Sequence, residues 1–216
     1  FTAGMDMSMQ SGFYAAHLPA LVESGQVPLP LLDAAVGRVL ALKAAIGLFD
    51  DPYRSLDPAR EADASHLEAH EVLAREAARR SIVLLKNEDD VLPLAGGQRI
   101  ALVGPFARDL DNIEGCWTLF GDRTRYVSLE AGLRAGLPAE ATLQVVDGCG
   151  LETALEGGIE AAVAAARAAD VVLLAVGEPQ RYSGEAQSRT RIELPPAQQA
   201  LAEAVAATGT PVVVVL

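Results

Sequence analysis

From residue 81 onward the chain alternates between short apolar runs and longer Ala-rich stretches. The runs at 81–86 (SIVLLK), 99–104 (RIALVG), 143–147, 171–177 and 212–216 contain few polar residues. A strand with one face in water alternates apolar and polar positions, whereas a strand buried on both faces does not. These runs therefore predict buried strands. The intervening stretches 129–136, 156–169 and 196–208 predict helices. Strands separated by helices predict a parallel sheet covered on both faces, an open α/β layer domain.

The first 80 residues follow a different pattern. Residues 1–12 (FTAGMDMSMQSG) predict a strand end running into a loop. Tyr14, Leu18, Leu21 and Val22 recur at helical spacing over 13–23, and Ser24 and Gly25 stop that helix. Pro28 and Pro30 lead into a second helix with Leu32, Val36, Val39, Leu40 and Ile46 on its apolar face, ended by Gly47. Residues 50–64, polar and holding Pro52 and Pro58, predict an extended linker, and a third helix is expected over about 67–80. The helices before residue 50 have no sheet of their own, so their apolar faces call for a partner. Phe1 at the start and a strand-like run at the end fit a piece of something longer.

Charge narrows the function. The formal net charge is -12, and an acidic chain repels phosphate backbones and anionic membrane surfaces. Nucleic acid and membrane are thereby disfavoured, and neutral substrates stay compatible. No apolar run approaches the roughly 20 residues that span a bilayer. Cys116 and Cys149 are too few for a disulfide framework and read as free thiols.

The stretch with most chemistry starts where the run 171–177 ends: GEPQRYSGEAQSRT, residues 177–190. Open α/β sheets bind ligands beyond the carboxyl ends of their strands, where this loop falls. It is long for a turn and carries Glu178, Glu185, Tyr182, Arg181 and Arg189. A carboxylic acid serves as a general acid when its surroundings raise its pKa toward the working pH. Ser188 and Arg189 are placed to bond sugar hydroxyls or orient Glu185. On residue type alone, the first reading of such a loop is a charged, solvated surface.

Other features carry less. His66 and His70 have metal-ligand spacing on a helix but no third ligand beside them, so a solvated face is the better reading and no metal or cofactor is expected. Gly148–Gly150 and Gly157–Gly158 lack the Lys and spacing of a phosphate loop, which argues against a nucleotide-binding domain. Met5, Met7 and Met9 alternate at strand spacing and read as core, with Met9 also a candidate substrate wall. Trp117, in EGCWTLFGD, is either core or a flat face for a sugar ring. Arg123 and Arg125 read as ion-pair partners of the excess acid.

Several segments in fixed order resemble glycoside hydrolase family 3. They are AGMDMSM (3–9), VGRVLALK and GLFDDPY within 18–53, SIVLLKNEDDVLPL (81–94), IALVGPFA (100–107), GCWTLFGD (115–122) and GEPQRYSGEAQSRTRIELPPAQQALAEAV (177–205). The match runs over nearly the whole chain. It implies the last strand and closing helices of a TIM-like barrel over 1–50, a linker and helix over 51–80, and a parallel-rich α/β sandwich domain over 81–216, truncated at its C-terminal end.

The resemblance also implies chemistry. Family members of this β-glucosidase kind are retaining glycosidases with two carboxyls about 5–5.5 Å apart. A barrel Asp attacks the anomeric carbon, and a Glu of the second domain protonates the leaving oxygen and then activates water. The pattern SGEAQSR points to Glu185 as that acid/base, with Glu178 as runner-up. Ser188, Arg189, Trp117 and Met9 are the substrate-contact candidates. SGEAQSR also argues against the branch that uses a His-containing dyad. The substrate implied is a terminal β-D-glucosyl or related residue of a β-linked oligosaccharide or glucoside. The partner implied is the missing barrel portion, and a homodimer is compatible. Location stays open between periplasmic or secreted and cytoplasmic.

The barrel segment with the nucleophile is absent from these residues, and Asp6 sits in a different local pattern. The competing reading is a non-catalytic carbohydrate-binding or assembly module. Both readings lead to one expectation: the isolated chain turns over no aryl β-glucoside above the level of its Glu185→Gln variant, as measured by aglycone release.

Overall fold

A computed structural model of the chain describes residues 1–64 and 68–216, which divide into two compact units, Phe1–Val83 and Leu84–Leu216. His66 lies outside the described residues, so the proposed pairing with His70 has no structural account. Among the described residues no group of three or more His, Cys, Asp or Glu is placed to hold a metal ion.

The first unit is helical. Helices α1 (Phe13–Glu23) and α2 (Leu29–Ala45) fall where the apolar spacing predicts them, followed by α3 (Pro58–Ala64) and α4 (Glu68–Ser81). The expected linker is thus partly helical, with Pro58 in the first turn of α3, where its missing N–H is no loss. The strand end expected within 1–12 does not form. Instead Arg38 of α2 makes a bidentate pair with Asp6 (2.6 and 2.7 Å), and Tyr14 donates to the Met5 carbonyl at 2.9 Å. Hydrogen bonding from Arg38 holds the Asp6 carboxyl below its usual range. Leu18, Val27 and Ala35 are the buried hydrophobics of this unit among the described residues. Val36, Leu40 and Ile46 stay exposed, so the apolar face of α2 is only partly covered within its own unit.

The second unit is built on a four-stranded parallel sheet in the order β2-β1-β3-β4: β1 is Arg99–Val103, β2 Thr142–Val146, β3 Val171–Ala175 and β4 Val212–Val215. Helix α5 (Leu129–Gly136) connects β1 to β2, α6 (Gly158–Ala168) connects β2 to β3, and α7 (Pro196–Ala206) connects β3 to β4. Alternate residues of the central strands feed two cores. Ala101, Val103, Val172 and Leu174 pack with Ala162, Ala165 and Ala166 of α6 and Leu201 and Val205 of α7. Ile100, Leu102, Val171 and Leu173 pack with Leu129, Leu133, Phe106, Val91 and Leu94 on the other face. This is the doubly covered parallel sheet that runs without polar alternation predict. The small Ala side chains of α6 let that helix lie close to the strands.

One predicted strand does not form. Residues 82–87 have no regular structure, and Ile82, Val83, Leu84 and Leu85 are 63–81% exposed. An extended run becomes a strand only by pairing, and none of the four strands pairs with it. At the opposite end of the sheet, Asp170 accepts from the Arg99 backbone at 2.7 Å and pairs with its guanidinium, locking the start of β1 to the turn before β3.

The tightest point is Gly104, just after β1. Its φ is +121°, and a Cβ there would lie 2.1 Å from the Ala175 carbonyl oxygen. Gly104→Ala is therefore expected to destabilise the unit by at least about 2 kcal/mol, read as a lowered denaturant midpoint with unchanged slope.

Candidate acid/base loop at the sheet switch point

The strand order sets where a site forms. The chain leaves β1 toward β2 on one side, then returns across β1 to lay β3 on the other. The connections that follow β1 and β3 thus diverge, and a crevice opens between them at the carboxyl edge of the sheet. Residues 104–128 make up the connection after β1, and residues 176–195 the one after β3.

The second of these loops is anchored at its root. Gln198 of α7 is fully buried, accepts from Gly177 N at 2.8 Å and donates to the Leu151 carbonyl at 2.7 Å. It lies on the same helix stripe as Leu201 and Val205, so the sequence pattern α7 buries includes one polar residue with a job. Pro179 is also buried. A short 3-10 turn, Gln180–Tyr182, follows. There the loop meets the β1 connection: Gln180 N donates to Asn112 Oδ1 at 2.7 Å, and its side chain donates to the Gly115 carbonyl at 2.9 Å.

Glu185 occupies a tight turn. Gln187 N donates to the Gly184 carbonyl at 3.2 Å. Gly184 has φ +128°, and a Cβ there would come to 3.0 Å from the Cys116 Cβ, so a side chain at this position is strained and crowded. Ala186 has φ +62°, uncommon for a residue with a side chain. Such backbone strain gathers where a residue must be presented in one place. Glu185 is exposed and, among the described residues, carries neither a hydrogen bond nor an ion pair.

Glu178 and Arg189 behave differently. They form an ion pair with each other, and Arg189 also donates to the Glu193 carbonyl at 2.6 Å. The Arg189 guanidinium stacks 4.8 Å from the Tyr182 ring centroid. Arg181 lies 5.3 Å from the same ring centroid and pairs with Glu152. Arg191 pairs with Glu193, so the three arginines of the loop are engaged by protein groups. Ser188 is exposed. Trp117 is 69% exposed, so the core reading does not hold for it, and it follows directly on Gly115 and Cys116, which touch the loop after β3. Met9 is 83% exposed and lies in the first unit, as do the exposed Met5 and Met7, against their core reading. Arg123 pairs with Asp111, as its setting among acids suggests. Both cysteines are free; Cys116 is exposed and burial pushes the Cys149 thiol up to about 11.

Asn112, Gln180 and Gln198 were not evident as candidates from residue type, because uncharged amides carry no chemical signature. Signals existed nonetheless. Gln198 sits on an apolar helix stripe, and Asn112 lies in the connection after a strand that neighbours β3.

The description "Glycosyl hydrolase family 3 C-terminal domain" matches residues 82–216, more than half of the chain. The chain is 38% identical to the periplasmic beta-glucosidase of Salmonella typhimurium over 99% of its own length and 31% of that protein. It is 30% identical to a beta-xylosidase of Formosa agariphila, again over 99% of this chain and 31% of the relative. Among solved structures, the beta-glucosidase of Listeria innocua in complex with laminaribiose superposes with a TM-score of 0.85 at 39% identity, covering 98% of this chain and 29% of that one. The chain spans about a third of the length of these relatives.

The root of the loop supplies a stability prediction. Gln198→Met fills the same space but leaves the Gly177 N–H and Leu151 carbonyl without a partner. A loss of about 1–3 kcal/mol is expected, measured by denaturant unfolding.

Proposed function

The chain belongs to glycoside hydrolase family 3, and on that premise we propose that it supplies the general acid/base of a retaining β-glycosidase, with Glu185 as the working carboxyl. The observation that carries this reading is the presentation of Glu185. It is an uncommitted carboxylate on a strained turn, in a loop pinned beside the switch point of the sheet.

In this reading Glu185 gives its proton to the glycosidic oxygen as the bond to the anomeric carbon breaks. A nucleophilic Asp, from a barrel outside these residues, forms the covalent glycosyl-enzyme. Glu185 then takes a proton from water as that water attacks, releasing the sugar with retained configuration. A general acid needs its pKa raised by cover from water. The exposed turn offers little cover alone, so the barrel and the bound sugar complete the environment. Glu178, the runner-up, is engaged by Arg189, which favours a supporting role for both. Exposed Trp117 beside the loop is suited to a sugar face, and Ser188 is free to contact it.

The helices of the first unit, with the apolar face of α2 partly open, are read as closing helices of that barrel. Met9 is then a wall of the sugar pocket. The substrate is a terminal β-D-glucoside, with β-xylosides the nearest alternative, as the names of the relatives support. A periplasmic or secreted location is supported by the Salmonella relative's name.

The test is leaving-group dependence in the complete enzyme. Glu185→Gln is expected to lower kcat/KM by about 10²–10⁴-fold on an alkyl β-glucoside, and far less on a dinitrophenyl β-glucoside, whose leaving group needs no proton. Equal losses on both substrates overturn the assignment. The same selective loss in Glu178→Gln, and not in Glu185→Gln, would transfer it to Glu178.

A further inference from the structure

Resting on the assignment of Glu185 as acid/base, we propose that Asn112 is a positioning residue for that carboxyl, acting through Gln180 from across the switch point. Glu185 has no partner of its own among the described residues, so its place is set by its backbone. That backbone belongs to a long loop without strand pairing. Between the loop root at Gly177 and the turn at Glu185, two neighbouring residues tie it to other segments: Gln180 by hydrogen bonds to the β1 connection, and Arg181 by its ion pair with Glu152.

Asn112 is built to hold the tether at Gln180. Its backbone N and its Nδ2 donate to the two carboxylate oxygens of Asp109, at 2.8 and 2.9 Å. With Nδ2 so fixed, Oδ1 faces the other way and accepts from Gln180 N at 2.7 Å. The three bonds of Asn112 to Asp109 and Gln180 are partly buried, so water competes with them poorly. The second Gln180 bond, to the Gly115 carbonyl, ties the loop to the β1 connection again. Cys116, the next residue, contacts Gly184 directly before Glu185. The acid/base turn therefore moves with the connection after β1, and Asn112 is the joint between them. Misplacement of a reacting group by about 1 Å can cost on the order of 10²-fold in rate.

The test uses the complete enzyme and the same pair of substrates. Asn112→Ala is expected to lower kcat/KM on the alkyl β-glucoside by about 10- to 100-fold and on the dinitrophenyl β-glucoside by less than about threefold. In a Glu185→Gln background the Asn112→Ala loss is expected to disappear, because a residue acting through Glu185 has nothing left to position. The exchange Asp109→Asn with Asn112→Asp keeps an oxygen acceptor for each of the two backbone N–H donors and reverses the bond between the two side chains, and it is expected to recover most of the loss. Gln180→Ala removes only the bond to Gly115 and is expected to show a smaller loss of the same selectivity, which keeps the test open should Asn112→Ala fold poorly. Equal losses on both substrates, or losses that multiply with those of Glu185→Gln, overturn the proposal. If Glu185→Gln shows the acid signature and Asn112→Ala does not, this inference fails and the assignment of Glu185 stands. If Glu185→Gln itself loses equally on both substrates, the assignment fails first.

Discussion

The pairing of β1 with β3 is the constraint on which the rest of the second unit depends. Both strands are buried almost end to end, and they come so close past their paired region that Gly104 has no room for a Cβ against the Ala175 carbonyl. Two parallel strands without a wet face must be covered on both sides. That requirement places α6 and α7 on one face and α5 with residues 91–94 on the other. It also forces the connections that follow β1 and β3 to part in opposite directions, and this opens the crevice where the candidate chemistry sits.

The loop in that crevice is held by groups of two kinds. Neutral amides do the local fixing: Gln198 at the root, then Asn112 and Gln180 between the two connections. Charged pairs close the rim: Glu178 with Arg189, Arg181 with Glu152, Arg123 with Asp111. These ion pairs are largely exposed, and exposed pairs contribute little to stability. Their effect is on shape, because each one occupies a side chain that would otherwise be free to meet a ligand. Glu185 is the carboxylate of the loop left uncommitted. These contacts fix where the turn that bears Glu185 stands within this unit.

Much of this architecture is legible in residue order. Continuous apolar runs around Leu102, Leu173 and Val213 need burial on both faces, and Ala-rich stretches between them need to be helices, so a parallel α/β sheet follows. The run at 82–85 has the same local pattern and makes no strand, because strand formation depends on a neighbour that local pattern does not contain. The linker reading failed at Pro58–Ala64 for a related reason: Pro marks a break or a first helical turn with equal ease.

For the site, the ordered segments around GEPQRYSGEAQSR singled out the loop, its two carboxylates and Arg189. Within it, the pattern SGEAQSR favours Glu185 over Glu178. The structure adds a difference in setting: Arg189 folds back onto Glu178, while a turn at Gly184 and Ala186 carries Glu185, which has no partner among the described residues. Asn112 lies 68 positions from Gln180 in the chain and reaches it only once β3 is laid beside β1, so its own segment carries little sign of the contact. Sequence alone determined the apolar runs that build the sheet and marked the loop with the candidate groups, because hydrophobic pattern and residue type are local properties. Tertiary structure decided which carboxylate is held and which is free, because that depends on distances between segments that only the strand order creates.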